Sequence, residues 1–208
     1  MEKSNASDTW FENASRMWQQ NANVLAHLFE TVDEEQYKKI LNAVLACKGR
    51  VVTMGMGTSA VAARKIAHMF CVSNVPSFYV SPGDAAHGAF GAAQPGDLLI
   101  VLSKGGNTEE LVNLIGSIKP KGITMAVVTQ NADSKLAKAA DMVLLMKAAE
   151  SDHQHRLPTA SIIAIISIFD AMADELTKYP QFSDEIFYLN HNHGAVGADL
   201  KSEREVKE

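Results

Sequence analysis

The stretch RVVTMGMGTSAVAARKIAHMFCV, from Arg50 to Val72, decides the fold. Arg50 to Met54 is a short β-rich run, Gly55-Met56-Gly57-Thr58-Ser59 is a glycine-rich turn, and Ala60 to Val72 reads as a helix of small and apolar residues. Strand, loop and helix in that order open a parallel crossover. The unit recurs downstream without recurring in sequence. Ser77 to Val80 and Asp97 to Leu102 read as strands, and the polar loop Ser103 to Thr108 leads to a helix ending near Lys119. Ile123 to Thr129 is a fourth strand, Ser134 to Ala140 a short helix, and Asp141 to Met146 a fifth strand. Strands apolar at successive positions are covered on both faces, so the pattern predicts a doubly wound five-stranded parallel α/β sheet with helices on both sides.

Upstream, apolar residues from Trp10 to Phe29 recur mostly at intervals of three, four or seven, which is a helical stripe. Thr31 and Asp33 are start signals for a second helix, whose apolar face includes Tyr37, Ile40, Leu41, Val44 and Leu45 and which stops near Gly49. Downstream, Thr159 is placed to cap a long apolar helix reaching about Lys178; beyond Tyr179-Pro180 the chain turns polar, and Lys201 to Glu208 reads as a frayed, charge-rich end. The expected organisation is N-terminal helices over 1–48 that pack on the core or a partner subunit, one domain over 49–197 and a polar tail over 198–208.

The size of the chain, 208 residues, suits one domain with extensions. Hydrophobic residues make up 47% and charged residues 21%, which excludes disordered and fibrous classes. With 19 basic against 24 acidic side chains and no local basic patch, nothing calls for nucleic acid or anionic lipid. The start of the chain lacks the apolar run of a signal peptide, and no stretch is apolar enough to span a bilayer. Cys47 and Cys71 show no CxxC spacing and read as buried thiols of a reducing compartment. A protein of the cytoplasm, away from membranes, is expected.

In open α/β sheets ligands bind beyond the carboxyl ends of the strands. Two loops belong there: Gly55 to Ser59, and Ser103-Lys104-Gly105-Gly106-Asn107-Thr108. Each follows a strand, opens a helix and combines glycine with hydroxyl groups suited to phosphate oxygens. The plain alternative is an ordinary strand-to-helix turn, with glycine for geometry and hydroxyls for capping. GxGxxA occurs at Gly55, Gly57 and Ala60, but the acidic residue that would hold a nucleotide ribose is missing at the end of the next strand, and no GKS or GKT marks a P-loop.

GMGTSA from Gly55, SFYVSPGDAAHGAFG from Ser77, SKGGNTEEL from Ser103, LPT from Leu157 and NHNHGAVG from Asn190 together resemble the sugar isomerase (SIS) fold. The resemblance is closest to arabinose 5-phosphate isomerases, whose pattern runs GMGKSG, HPGEAAHGDLG, SNSGESSE, APTSS and SHPGGALG, and it covers roughly Gly49 to Gly197. It implies aldose-ketose interconversion of a pentose 5-phosphate between its arabinose and ribulose forms, without a cofactor, in a homotetramer. Larger members append a pair of CBS domains, which are not expected within these 208 residues. The family's functional residues fall on His87, Glu110, Glu150 and His191, while its lysine falls on Thr58. A hydroxyl does not replace a compact cation in kind. Lys104, at an asparagine position of the family, is expected to restore the charge from the neighbouring loop. Asn107 and His193 are further departures, where the family has glutamate and glycine.

Such an enzyme removes a C–H proton beside a carbonyl, stabilises an enediolate and returns the proton one carbon away. A carboxylate suits the abstraction and an imidazole suits the hydroxyl protons. Glu150 is the expected base, His191 and His87 the proton carriers or orienting groups, and Glu110 a neighbour of the sugar hydroxyls. Gly57, Thr58, Ser59, Ser103, Lys104, Thr108 and Thr159 are the expected substrate and phosphate contacts. Each has a plainer role: Glu110 complements a helix dipole, His87 is a surface histidine, and Glu150 is a solvated carboxylate in AESDHQHR. The HxH pairs His153/His155 and His191/His193 admit zinc in principle, but acid-base groups suffice and no metal is expected. The alternatives are a 6-phospho-3-hexuloisomerase-like enzyme and a sugar phosphate binding or regulatory module without turnover. A homo-oligomer, dimer or tetramer, is expected.

Overall fold

The computed structural model describes residues 9–146 and 157–205. Its centre is a five-stranded sheet of β1 (Val51–Gly55), β2 (Ser77–Tyr79), β3 (Leu98–Leu102), β4 (Thr124–Thr129) and β5 (Met142–Leu145). All neighbours are parallel, in the order β2-β1-β3-β4-β5. The chain steps outward from β1 to β2, returns to β3 and continues the other way, so the topological switch point lies between β1 and β3.

Alternation along β3 explains the two-sided burial. Leu98, Ile100 and Leu102 join Ile66, Phe70, Phe169 and Met172 in the core on one face, while Leu99 and Val101 join Met54, Met125, Val127, Leu111 and Leu136 on the other. The first face is covered by α3 (Glu34–Ala46), α4 (Thr58–Val72) and a long helix, α9 (Ala160–Leu176). Phe70 of α4 meets Phe169 of α9 edge to face, with centroids 6.1 Å apart. Lys65 and Asp170 pair across the same two helices. Burial holds the Lys65 ammonium below its ordinary pKa.

The N-terminal stripe forms α1 (Trp10–Ala26) and a short α2 (Leu28–Thr31). Asp33 caps α3 by accepting the Gln36 N–H at 2.8 Å, as its position predicts. Four expectations need correction. The single helix expected after Thr108 is broken into α6 (Glu109–Val112), α7 (Ile115–Ile118) and a 3₁₀ turn, Lys119–Lys121. Asn113, Gly116 and Pro120 weaken continuous helix there, and three-residue bonds such as Ser117 N–H to Leu114 C=O at 2.9 Å take over. The polar region past Pro180 is helical: α10 (Asp184–Asn190), capped by the Ser183 hydroxyl, and α11 (Gly194–Glu205), which carries ordered helix into the expected tail. Thr159 does not cap α9; its hydroxyl faces Met17 Sδ at 3.6 Å. Cys47 is half-buried and Cys71 exposed, so the expectation of two buried thiols fails. Among the described residues no helix is long and apolar enough to cross a membrane.

Candidate functional site

At the carboxyl edge of the sheet, β1 turns into α4 within three residues. A Cβ on Gly55 would sit 2.7 Å from the backbone carbonyl of Ser59, so only glycine lets the helix start so close to the strand. Gly57 is the N-cap, and Thr58 and Ser59 open the first turn, beside the unpaired N–H groups and the positive end of the helix dipole. The Tyr79 hydroxyl donates to Gly55 C=O at 3.2 Å and ties this turn to the adjoining strand.

The loop after β3 is braced from within. The hydroxyls of Ser103 and Thr108 share a hydrogen bond of 2.9 Å, and the Gly106 N–H donates to Ser103 Oγ at 3.2 Å. Lys104 C=O accepts from the Gln130 N–H at 2.9 Å and from the Thr129 hydroxyl at 3.1 Å, which docks the loop on the end of β4. The short helix after β4, α8 (Lys135–Ala139), is capped by Ser134, whose hydroxyl accepts from the Ala137 N–H at 3.2 Å.

Between these loops lies a cavity of about 140 Å³. Its polar rim is Thr58, Ser59, Lys104 and Gln130, and its apolar side includes Val128, Met146, Ile162 and Ile165. A helix N-terminus, two hydroxyl residues and a lysine around one cavity are groups that suit an anion.

The expected site residues are not all gathered here. Thr58, Ser59 and Lys104 line the cavity, with Gly57 next to them in sequence. Ser103 and Thr108 do meet, but Ser103 is only 4% exposed and its hydroxyl serves the loop. Thr159 is turned toward α1. His87 ends a short helix, α5 (Pro82–Ala86), which packs against α6 carrying Glu110; both residues are exposed and neither lines the cavity. His191 lies at the end of α10, stacked on Phe187. The adjacent Asn190 side chain donates to Asn74 Oδ1 at 3.3 Å, just beyond the C-terminal end of α4. Since α4 has 15 residues, that end is about 22 Å from the cavity rim. Glu150, His153 and His155 lie outside the described residues. Among the described residues no cluster of three or more histidine, cysteine or acidic side chains is placed to hold a metal ion. Gln130 and Ser161 also line the cavity and went unread in the sequence. Gln130 had a signal, since it directly follows a strand on the sheet edge where ligands bind.

The SIS domain family model matches residues 44–174, more than half of the chain. The chain belongs to the SIS domain family. Among curated SIS proteins it is similar to the arabinose 5-phosphate isomerase KpsF of Escherichia coli, with 36% identity over 177 residues covering 85% of this chain and 56% of that protein. The arabinose 5-phosphate isomerase KdsD of E. coli K12 is 40% identical over 155 residues, 74% of this chain and 47% of that protein. The chain thus spans about half the length of the curated relatives it matches. Among solved structures, a candidate sugar-phosphate isomerase from Listeria monocytogenes superposes with a TM-score of 0.85 at 39% identity, covering 93% of this chain and all of that one. An E. coli CFT073 protein in complex with arabinose 5-phosphate superposes with a TM-score of 0.82 at 25% identity, covering 90% of this chain and 99% of that one.

Proposed function

We propose that this SIS protein is an aldose-ketose isomerase acting on a phosphorylated sugar, most like the interconversion of arabinose 5-phosphate and ribulose 5-phosphate. The observation that supports the reading is the cavity at the strand tips, lined by Thr58 and Ser59 at the start of α4 and by Lys104 from the loop after β3, groups suited to a phosphate. The phosphate docks on those groups, and the sugar chain extends from them. A base removes the proton from the carbon beside the carbonyl, the enediolate forms, and the base, having exchanged with solvent, returns one proton to the neighbouring carbon, so no oxidant or reductant is involved. Glu150 is the base, Glu110 borders the sugar hydroxyls, and His87 and His191 move or orient hydroxyl protons.

His191 serves a cavity other than its own in this proposal. The separation of about 22 Å along α4 supports that assignment, because a second copy can deliver the imidazole where the same chain does not. The exposed aromatic residues of α1, Trp10 at 68% and Trp18 at 59%, fit the same picture of a homo-oligomer, dimer or tetramer. The protein works in the cytoplasm, where phosphorylated sugars are made.

Thr58 favours a second reading, a regulatory module that binds a sugar phosphate without turning it over, because the family's lysine is missing at that position. Proton exchange separates the two. Incubated with arabinose 5-phosphate in deuterated water, the isomerase incorporates solvent deuterium at the carbon beside the carbonyl, followed by NMR, as ribulose 5-phosphate accumulates. Saturable binding with no label in the recovered sugar would establish the regulatory module instead.

A further inference from the structure

A second cavity, of about 400 Å³, adjoins the first on the same edge of the sheet. Its far wall carries Thr31, Asp33 and Gln36, from the end of α2 and the start of α3. Two residues, Gln130 and Met146, line both cavities. They directly follow β4 and β5, and their main chains are held: Gln130 N–H donates to Lys104 C=O and Met146 N–H to Thr129 C=O, each at 2.9 Å. The backbone is therefore anchored, and Gln130 and Met146 are the residues the two cavities share.

The far wall is held as firmly. Gln36 Oε1 accepts the Leu145 N–H at 2.8 Å, and Asp33 Oδ1 accepts the Gln36 N–H at 2.8 Å. Carboxylate, amide and hydroxyl groups there are of the kinds that recognise sugar hydroxyls, whereas the Asp33 charge disfavours a phosphate. The phosphate thus belongs on the Ser59 and Lys104 side, and the second cavity suits the far end of a polyhydroxylated chain. The second cavity is nearly three times the size of the first, about 400 Å³ against about 140 Å³, so joining them adds room for a longer chain.

We infer that Gln130 sets the length of sugar phosphate the site accepts: with Gln130 in place the site takes a short, pentose-sized chain, and shortening Gln130 opens the second cavity to longer ones. This rests on the phosphosugar reading above and narrows it to substrate length. The test is calorimetric titration of the full chain, wild type, Gln130→Ala and Gln130→Asn, with five-, six- and seven-carbon sugar phosphates, thermal melting serving as the folding control. Q130A is expected to raise the ratio of six- and seven-carbon to five-carbon affinity by at least about tenfold, the scale on which a pocket senses one added group, with Q130N between. If Q130A fails to fold, Q130N carries the comparison. An unchanged ratio, or equal weakening of every sugar, overturns the inference while leaving the phosphosugar reading standing. A wild-type chain that binds no sugar phosphate overturns both.

Discussion

Replacing Gly106 by alanine tests how the loop that presents Lys104 is held. Gly106 has φ +66°, and a Cβ there would run into Oγ and Cβ of Ser134 and lie 2.9 Å from Thr129 Oγ1. A non-glycine residue in the left-handed region costs about 1–2 kcal/mol, and overpacking a tight contact costs about 1–3 kcal/mol more. Ser134 cannot swing away freely, because its hydroxyl caps α8. The expected loss is therefore about 2–5 kcal/mol, or roughly 4 to 20 °C in melting temperature for a chain of this size. Calorimetry of G106A measures it directly. Adding Ser134→Gly removes the two closest atoms at a capping cost of only a few tenths of a kcal/mol, so the double variant should recover about 1 kcal/mol or more. The loop also accepts the Leu136 N–H at Gly106 C=O, so G106A should weaken sugar phosphate binding as well as stability. A G106A protein melting within about 1 °C of wild type would refute the claim that close packing against Ser134 holds the loop.

Three further outcomes follow from the same geometry. Lys104→Ala should weaken sugar phosphate binding by roughly 10- to 150-fold in titration calorimetry, the worth of a hydrogen bond to a charged group, and unchanged affinity would remove Lys104 from the phosphate rim. Burial, reinforced by the nearby Glu175 and Asp174 carboxylates, raises the Tyr37 pKa above 10.0. The stability it contributes is therefore full below pH 10.0 and lost as pH rises through the folded value, so wild type should lose stability above pH 10.0 more steeply than Tyr37→Phe, and parallel urea midpoints would contradict this. Trp18→Asp on α1 should shift the chain toward monomer in light scattering, whereas an unaltered oligomer would exclude the exposed face of α1 as a subunit contact.

The sheet was legible because its strands are short, mostly apolar and bounded by glycine and polar residues. LLIVL at β3 sends alternate side chains into two separate cores and leaves no polar face to confuse the pattern. The two strand-to-helix loops were legible for the same reason: each is a cluster of glycine and hydroxyl residues directly after such a strand. Less could be seen where side chains have two uses. Ser103 reads as a phosphate contact but spends its hydroxyl on Thr108 and the Gly106 N–H, a local bond that composition does not reveal. Thr159 reads as a cap, yet α1, far away in sequence, brings Met17 against it. Gln130 escaped notice because a single glutamine after a strand has no pattern; only the shared wall of two cavities singles it out. α10 had a signal, Ser183 followed by Asp184 and Glu185, that the polar composition around it concealed. His191 matched a family motif, but its distance from its own cavity is a property of how α10 docks beside Asn74.

The most direct test of the account is a crystal structure of the protein soaked with arabinose 5-phosphate. The account predicts phosphate density at the start of α4, within hydrogen-bonding distance of Ser59 and the Lys104 ammonium, with the sugar chain stopping at Gln130. Density for the phosphate anywhere else on an otherwise unoccupied strand edge would contradict it.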